Sequence, residues 1–239
     1  YSIKRYGAHG TSHKYVSQKT AEFLGKKPED LKMVTLHLGN GSSITAVDKG
    51  RCVDTSMGLT PLAGPLMGTR CGSIDPAIVP LLLDNELVQD AQTGEMRHMN
   101  GTELNNIMNK KSGILGVTGG VTSDNRDIEE GARNGNERYQ LVESMLCHQL
   151  TKYIGGFAAA MGGVDAVVFT GGIGENDGGM RKMVLENMEF LGIKLDEEKN
   201  AQRGEIKIST EDSKVAVWVI PTNEELLIAR DTMEIVSKL

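Results

Sequence analysis

The sequence predicts an α/β fold in which one sheet is covered by helices, and three observations lead to this class. Residues 32–57 contain three short strand patterns separated by turns at GNG and DKG. The apolar run DAVVFT is typical of a strand buried on both faces of a parallel sheet. A final strand pattern, VAVWVIPT, leads directly into the helical pattern NEELLIARDTMEIV. Strands that come first and then alternate with helices indicate an α/β sheet.

Helix signals fill the intervals between these strands. The Asp75–Pro76 pair predicts a helix start, because aspartate caps helices and proline fits their first turn. Thr102 is the cap expected for the next helix. Residues 136–161 have apolar residues at helical spacing and predict one long buried helix, and a further helix is expected over about 176–190. The sequence has no internal repeat or linker, so we expect one domain.

Composition narrows the functional class. The chain has 239 residues and a formal net charge of −6, without a lysine or arginine block, so nothing favours binding to nucleic acid or to an anionic membrane. No apolar run approaches the roughly 20 residues that span a bilayer. Cys52, Cys71 and Cys147 lack CxxC spacing and suit a reducing compartment, which predicts a cytoplasmic protein. The chain begins at Tyr1 rather than methionine, as a piece of a longer protein would.

The stretch RYGAHGTSHKYV holds two histidines four residues apart, His9 and His13. A zinc-peptidase helix needs H-E-x-x-H, and Gly10 stands where that glutamate should be, so the metal interpretation fails. Gly10 disfavours a helix through His9, whereas Thr11 or Ser12 is a natural N-cap. We therefore expect His13 in the helix and His9 in the loop before it. His9 is then a catalytic candidate or a structural loop histidine, and for His13 the structural role is favoured.

Two glycine-rich motifs are candidate anion sites. In HLGNGSS, backbone amides and the Ser42 and Ser43 hydroxyls could hold phosphate oxygens, although on this motif alone a plain Asn-Gly hairpin is the favoured interpretation. FTGGIGEN runs from a buried strand through Gly171, Gly172 and Gly174 towards a helix, which is typical of an anion or nucleotide site. It matches neither the P-loop pattern nor the full dinucleotide-binding spacing.

Charged residues beside these loops have a structural and a functional interpretation each. Arg70, in MGTRCGSIDP, is either a solvated surface group or a cation that neutralises charge during phosphoryl transfer. Asp124 either caps the helix that follows or belongs, with Arg126, to a site. Glu224 and Glu225 begin the last helix, where they complement its dipole or hold a magnesium ion directly or through water.

Six blocks, taken together and in order, resemble the acetate kinase family over essentially the whole chain: RYGAHGTSHKYV, HLGNGSSITAV, VDTSMGLTPLAGPLMGTRCGSIDP, SDNRDIEEG, VVFTGGIGEN and TNEELLIARDT. The resemblance implies a ribonuclease-H-like domain of the acetate and sugar kinase, heat-shock ATPase and actin superfamily, with a mixed sheet flanked by helices. Residues 1–239 are then expected to be the C-terminal nucleotide-binding domain. The family's N-terminal domain, with a phosphate motif, an acetate-binding arginine and a magnesium-coordinating aspartate, is absent from this chain.

The resemblance also implies roles for individual residues. His9 would stabilise the transferring phosphoryl group, and Arg70 would bind the acetyl carboxylate and counter transition-state charge. Glu225 would position magnesium, and Pro61 would form part of an apolar acetyl pocket. Ala8 stands where many relatives have phenylalanine, a departure expected to enlarge or reshape that pocket. A further set would line the nucleotide, namely Asn40 and Gly41 at the phosphates, Gly172, Ile173 and Asn176 along the adenosine, and Asp124 and Arg126 nearby.

The implied activity is reversible, Mg²⁺-dependent transfer of the ATP γ-phosphoryl group to acetate, giving acetyl phosphate and ADP. Transfer would be direct and in line, because a carboxylate is already a competent nucleophile and needs positioning and charge neutralisation only. The implied partners are ATP or ADP, acetate or acetyl phosphate, and a second copy of the chain in a homodimer formed through this domain. One alternative is a propionate or other short-chain carboxylate kinase, although Asn40 favours the acetate branch over the butyrate branch. Another is a non-catalytic nucleotide-binding module, since the isolated fragment lacks groups that transfer requires.

Overall fold

The computed structural model describes residues 1–238. Its strands are, in chain order, β1 (Lys32–Leu38), β2 (Ser42–Asp48), β3 (Arg51–Thr55), β4 (Leu87–Gln89), β5 (Met96–His98), β6 (Ala166–Thr170), β7 (Ile206–Lys207) and β8 (Ala216–Val219). Its α-helices are α1 (Gly10–Leu24), α2 (Ile78–Asn85), α3 (Gly101–Lys110), α4 (Gly113–Val117), α5 (Asn125–Arg133), α6 (Glu137–Met161), α7 (Gly171–Asn176), α8 (Gly178–Leu185), α9 (Glu197–Asn200) and α10 (Glu224–Val236).

The main sheet has six strands in the order β3-β2-β1-β6-β8-β7. The first three strands form the predicted antiparallel meander, whereas β1, β6 and β8 are parallel and β7 returns antiparallel to β8. The sheet is therefore mixed, as expected. Strands β4 and β5 form a separate two-stranded ladder.

Strand β6 lies at the centre of the fold, between β1 and β8. All five of its residues are buried, which explains its continuous apolar run. On one side of the sheet, α6 and α8 contribute Leu150, Ile154 and Val184 to the main core cluster. On the other side, α1 and α10 pack through Val16 and Leu227 against the central strand. Helices cover both faces, as an α/β fold requires.

Several helices begin elsewhere than the sequence predicts. Helix α2 begins at Ile78, because the Asp75 carboxylate accepts from the Ala77 amide and stabilises a turn before the helix. The cap of α3 is Asn100 rather than Thr102. Its side chain and that of Glu103 form a reciprocal capping box, which satisfies more backbone amides than one threonine hydroxyl could.

The long helix α6 covers residues 137–161 with Asn136 as its cap, so its prediction is confirmed. The single helix expected over 176–190 is instead two. Helix α7 starts directly after β6 and ends at Asn176. The Asp177 side chain then caps α8 by accepting a 2.8 Å hydrogen bond from the Met180 amide. Within residues 1–238, no helix is both long and apolar enough to cross a membrane.

This topology brings functional loops to one edge of the sheet. The carboxyl ends of parallel strands lie together, so the loop after β1, the start of α7 after β6 and the start of α10 after β8 are neighbours. Ligands of α/β sheets bind at this kind of edge.

Candidate active site

His9 lies in the loop before α1, as predicted, and has a left-handed backbone conformation (φ 56°, ψ 30°). Such a conformation costs a non-glycine residue about 1 kcal/mol, so surrounding contacts must hold it. Neither Thr11 nor Ser12 caps the helix, contrary to expectation. His9 occupies the cap position, and the Ser12 hydroxyl lies 2.8 Å from His37 Nδ1. The Ser12 side chain therefore hydrogen-bonds to His37 instead of capping the helix.

His9 lies in a cluster of three histidines. Its ring stacks on His37 with ring centroids 4.0 Å apart, and the His13 ring lies 6.5 Å from His9 and 6.4 Å from His37. Ser43 joins two of them, since its Oγ lies 2.9 Å from His9 Nδ1 and 2.7 Å from His13 Nε2. The second His13 nitrogen lies 2.7 Å from Thr35 Oγ1. His9 is therefore held by stacking on one side and a hydrogen bond on the other.

The imidazoles in this cluster are neutral at pH 7. Burial is the main cause and lowers the pKa of His13 to about 3 and the pKa of His37 to about 4, with neighbouring histidines lowering both pKa values further. Burial also lowers the pKa of His9, and the Arg70 charge adds to this, whereas the Glu224 charge opposes it. His9 can therefore donate or accept a hydrogen bond without carrying a charge.

Arg70 lies against the glycine-rich loop after β1. Its Nη1 donates to the Pro61 carbonyl at 2.7 Å, which brings together two residues of the predicted acetyl site. A Cβ atom on Gly41 would lie 2.9 Å from Arg70 Nη2, so any other residue here would require the guanidinium to shift. The glycine predicted to approach phosphate thus also makes room for the arginine.

The loop that carries Arg70 is fixed by the start of α4. The amides of Ile114 and Leu115 donate to the carbonyls of Met67 and Gly68 at 2.8 and 2.9 Å. Gly113, with φ 64°, precedes them, and a Cβ there would lie 2.1 Å from the Met67 carbonyl oxygen. Glycine is therefore required at this position, which the sequence analysis did not single out.

A cavity of about 680 Å³ is lined by most of the residues predicted to bind nucleotide. Its wall includes Asn40, Asp124, Arg126, Gly172, Ile173 and Asn176. Arg203 also lines it, at a position the sequence analysis did not identify. The loops after β1 and after β3 meet here through a bond of 3.3 Å from the Gly68 amide to the Asn40 carbonyl.

Two hydrogen-bonded pairs shape this cavity. Asp124 caps α5 through the Arg126 amide and also pairs with the Arg126 guanidinium, so the structural role coexists with a place in the wall. The guanidinium lowers the pKa of Asp124 to about 2. Asn125 donates to Asp177 at 2.8 Å and joins the α5 wall to the opposite wall formed by α7. Asn125 and Asp177 were not predicted to act at the site.

Ala8 lies away from this cavity. It lines a separate space of about 1010 Å³ between α1 and strands β2 and β3, together with Tyr6 and His13. Its carbonyl oxygen is 3.5 Å from Ser43 Oγ. This contact is made by the backbone, so it does not depend on the side chain at position 8.

The two glutamates at the start of α10 differ in environment. Glu224 is half-buried and its charge acts on His9, whereas Glu225, the predicted magnesium residue, is exposed. No group of three or more metal-ligating side chains occurs in the part of the chain that the structure describes. The pair of carboxylates at Glu224 and Glu225 nevertheless fits Mg²⁺, because this ion commonly uses one or two carboxylates and completes its shell with water and substrate phosphates. The buried Thr170 and Thr222 hydroxyls, after β6 and β8, have no partner in residues 1–238.

One signal in the sequence could have identified His37. Thr35 and His37 are polar residues two positions apart in the otherwise apolar strand KMVTLHL, so they lie on one face of β1. That face points to α1, where His13 and Ser12 contact them.

Comparison with known proteins extends these observations. A model of the Acetokinase family matches residues 1–230. The acetate kinase of Clostridium novyi (strain NT) is 57% identical over 239 residues, which are 100% of this chain and 57% of that protein. The crystal structure of Porphyromonas gingivalis acetate kinase is similar with a TM-score of 0.89 and 46% identity, over 98% of this chain and 56% of that one.

A solved propionate kinase from Francisella tularensis subsp. tularensis SCHU S4 has a TM-score of 0.84 and 42% identity, over 95% of this chain and 55% of that one. Likeness to these two solved structures over almost the whole chain confirms the predicted fold class. The chain spans a little over half the length of the curated relatives it matches.

Proposed function

Because the chain belongs to the acetokinase family, as its ordered motifs predicted, we propose that it is the C-terminal, nucleotide-binding domain of an acetate kinase. The complete enzyme would transfer the ATP γ-phosphoryl group reversibly to acetate in the presence of Mg²⁺, giving acetyl phosphate and ADP. The observation that carries this proposal is the adjacency of two groups of residues. Asn40 lines the cavity that holds the nucleotide candidates, while its neighbour Gly41 touches Arg70, whose charge acts on His9.

The reaction needs little covalent chemistry from the protein. The acceptor carboxylate attacks the γ-phosphorus directly, so the chain must align two anions and offset their charge. In residues 1–238, Arg70 donates only to the Pro61 carbonyl, which leaves guanidinium N–H groups free for a carboxylate and for phosphoryl oxygens. His9 contributes a neutral hydrogen bond beside that cation. Mg²⁺, held from Glu225 with Glu224 nearby, would supply charge neutralisation at the phosphates.

The 239-residue chain alone is expected to bind ADP weakly and to turn over no acetate. The residues proposed to line the adenosine are present in this chain, whereas the family's acetate arginine and magnesium aspartate belong to the N-terminal domain. Positioning of both substrates can supply about 7 to 11 kcal/mol of barrier reduction, and losing half of the cleft should remove most of it. Calorimetric titration with ADP and an acetyl phosphate assay on one preparation test both statements. Robust turnover by the purified chain would contradict them.

Asn125→Ala is expected to weaken ADP binding about fivefold. The substitution removes the bond to Asp177 that joins the two cavity walls, and a hydrogen bond to a charged group contributes about 1 kcal/mol or more. Calorimetry on the two chains measures the dissociation constants. Asn109→Ala is the matched control, since that amide bonds only within α3. Equal ADP affinity of Asn125→Ala and the unmodified chain would show that the walls need no such link.

Propionate is the second candidate acceptor. The departure at Ala8 and the similarity to a propionate kinase both favour testing it. Rates measured with acetate, propionate and butyrate in the full-length enzyme decide between them, since one methylene in a pocket changes kcat/KM by about 10- to 200-fold. A higher kcat/KM for propionate would replace acetate in the proposal.

The proposal extends to assembly and location. We expect a homodimer formed through this domain in the cytoplasm, without nucleic-acid or membrane partners. Free thiols at Cys52, Cys71 and Cys147 support a reducing compartment. Analytical ultracentrifugation of the full-length enzyme measures its oligomeric state.

A further inference from the structure

We propose that Thr35, His13 and Ser43 form a buried positioning relay that holds the His9 ring with Nδ1 as an acceptor and Nε2–H as a donor directed to the phosphoryl group. These three residues touch no substrate themselves and act through His9. The relay rests on the proposed function in one respect only, namely that the His9 Nε2–H donor meets a phosphoryl group. Its geometry and its spectroscopic test are independent of any activity.

The relay is a continuous chain of short contacts between three elements. Thr35 Oγ1 on β1 lies 2.7 Å from His13 Nδ1 on α1, His13 Nε2 lies 2.7 Å from Ser43 Oγ on β2, and Ser43 Oγ lies 2.9 Å from His9 Nδ1. Thr35 and Ser43 have no exposed surface, and His13 is 4% exposed. Water therefore does not compete for these bonds, and each proton must be shared within the relay.

The protons of the relay can run in either of two directions, and the proposed direction begins at the Thr35 hydroxyl. The Thr35 hydroxyl can donate to His13 Nδ1 at 2.7 Å or to the Thr45 carbonyl at 3.5 Å. Both directions keep the 2.7 Å contact, and in the proposed direction Thr35 donates to His13. His13 then accepts at Nδ1 and, being neutral, has its single proton on Nε2.

The second half of the relay is set by the first. His13 Nε2–H donates to Ser43 Oγ, so the Ser43 hydroxyl proton is free to donate onward. Its possible acceptors are His9 Nδ1 at 2.9 Å and the Ala8 carbonyl at 3.5 Å, and in the proposed direction it donates to His9, which is the shorter bond. His9 therefore accepts at Nδ1, and its one proton is on Nε2.

His37 fixes the plane of the same ring. It stacks on His9 at 4.0 Å, and its own Nδ1 is held by the Ser12 hydroxyl at 2.8 Å. Stacking and the Ser43 bond together hold the His9 ring in one orientation.

The free nitrogen of His9 is the one that matters for transfer. Within residues 1–238, His9 Nε2 has no hydrogen-bond partner, and the ring is half-buried near the charges of Arg70 and Glu224. A donor N–H at this position attracts a phosphoryl oxygen. The opposite tautomer would present a lone pair to that oxygen and repel it.

A two-bond ¹H–¹⁵N correlation spectrum of the ¹⁵N-labelled 239-residue chain at pH 7.5 tests the relay directly. We expect His9 and His13 each to show the single pattern of a neutral Nε2–H imidazole, assigned with His9→Asn and His13→Gln variants. A neutral Nδ1–H pattern for either His9 or His13 would overturn the proposed direction. This measurement on the unmodified chain stands even if a variant folds poorly.

Ser43→Ala breaks the relay at its centre, and Thr45→Val is the matched control. Thr45 is the next residue of β2 on the same face, is 4% exposed, and its hydroxyl contacts Thr55 rather than a histidine. We expect Ser43→Ala to add the Nδ1–H form to the His9 spectrum and, in the full-length enzyme, to lower kcat about tenfold with an unchanged KM for ATP. Thr45→Val should keep the unmodified spectrum and rate.

An unaltered His9 spectrum together with an unmodified kcat in Ser43→Ala would show that Ser43 does not position His9. Failure of the acetate kinase proposal would instead appear as absent phosphoryl transfer in the unmodified full-length enzyme, whatever tautomer the spectrum shows. The two failures are therefore distinguishable.

Discussion

Replacing His9 by alanine is expected to lower kcat of the full-length enzyme by roughly two to three orders of magnitude, with little change in the KM for ATP. Loss of one preorganised hydrogen-bond donor to a developing charge has about this effect. The strained backbone at φ 56° supports the same view, because stacking and a hydrogen bond hold His9 in a costly conformation. Steady-state kinetics with varied ATP and varied acetate measure the change.

His9→Asn separates the side chain's chemistry from its backbone. Asparagine adopts the left-handed conformation readily, so this variant should keep the loop and still lose activity. His98→Ala, on the exposed strand β5, is the control for loss of a histidine and should behave as the unmodified enzyme. If His9→Ala kept the full kcat and raised only the KM for acetate, His9 would be a binding residue and the assignment to the phosphoryl group would be wrong.

Replacing Arg70 by alanine is expected to lower kcat/KM for acetate by about two to three orders of magnitude, through both kcat and KM. One guanidinium would serve the acceptor carboxylate in the ground state and the developing charge in the transition state. The close approach to Gly41 and the bond to Pro61 orient this planar group beside the glycine-rich loop. Acetate saturation curves at fixed ATP separate the two effects.

Arg70→Lys should restore little of this activity, because an ammonium group lacks the bidentate fork. Arg138→Ala, at the exposed start of α6, removes an arginine outside the site and should leave both constants unchanged. Nearly full activity of Arg70→Lys would show that a point charge suffices and that the bidentate role is wrong.

Local chemistry explains which predictions the structure confirms. The buried strand β6, the meander at residues 32–57 and the long helix α6 depend on residues close together in sequence. The position of His9 outside the helix was also predicted, although the helix begins at Gly10 itself and not after a Thr11 or Ser12 cap. The glycine-rich loops could be located because glycine concentrates where backbone must turn or approach a neighbour closely.

Side chains with more than one suitable partner could not be assigned from the sequence. A serine hydroxyl at position 12 can cap a helix or bond a histidine, and the sequence alone does not distinguish these roles because their local cost is similar. In the folded chain β1 and α1 are packed together, and Ser12 meets His37, 25 residues away. The same holds for Asn125 and Asp177, which are separated by 52 residues.

The amino-acid sequence by itself therefore determined the family, the α/β class and the positions of the loops, because each rests on short patterns whose physics is local. Tertiary structure alone decided that His9, His13 and His37 share one neutral cluster, that Ser43 bridges two of them, and that Arg70 lies against Gly41. These contacts join residues far apart in the chain. They form only when burial of the sheet's apolar faces has placed the strands and helices side by side, since individual hydrogen bonds of about 1 kcal/mol are too weak to select the arrangement themselves.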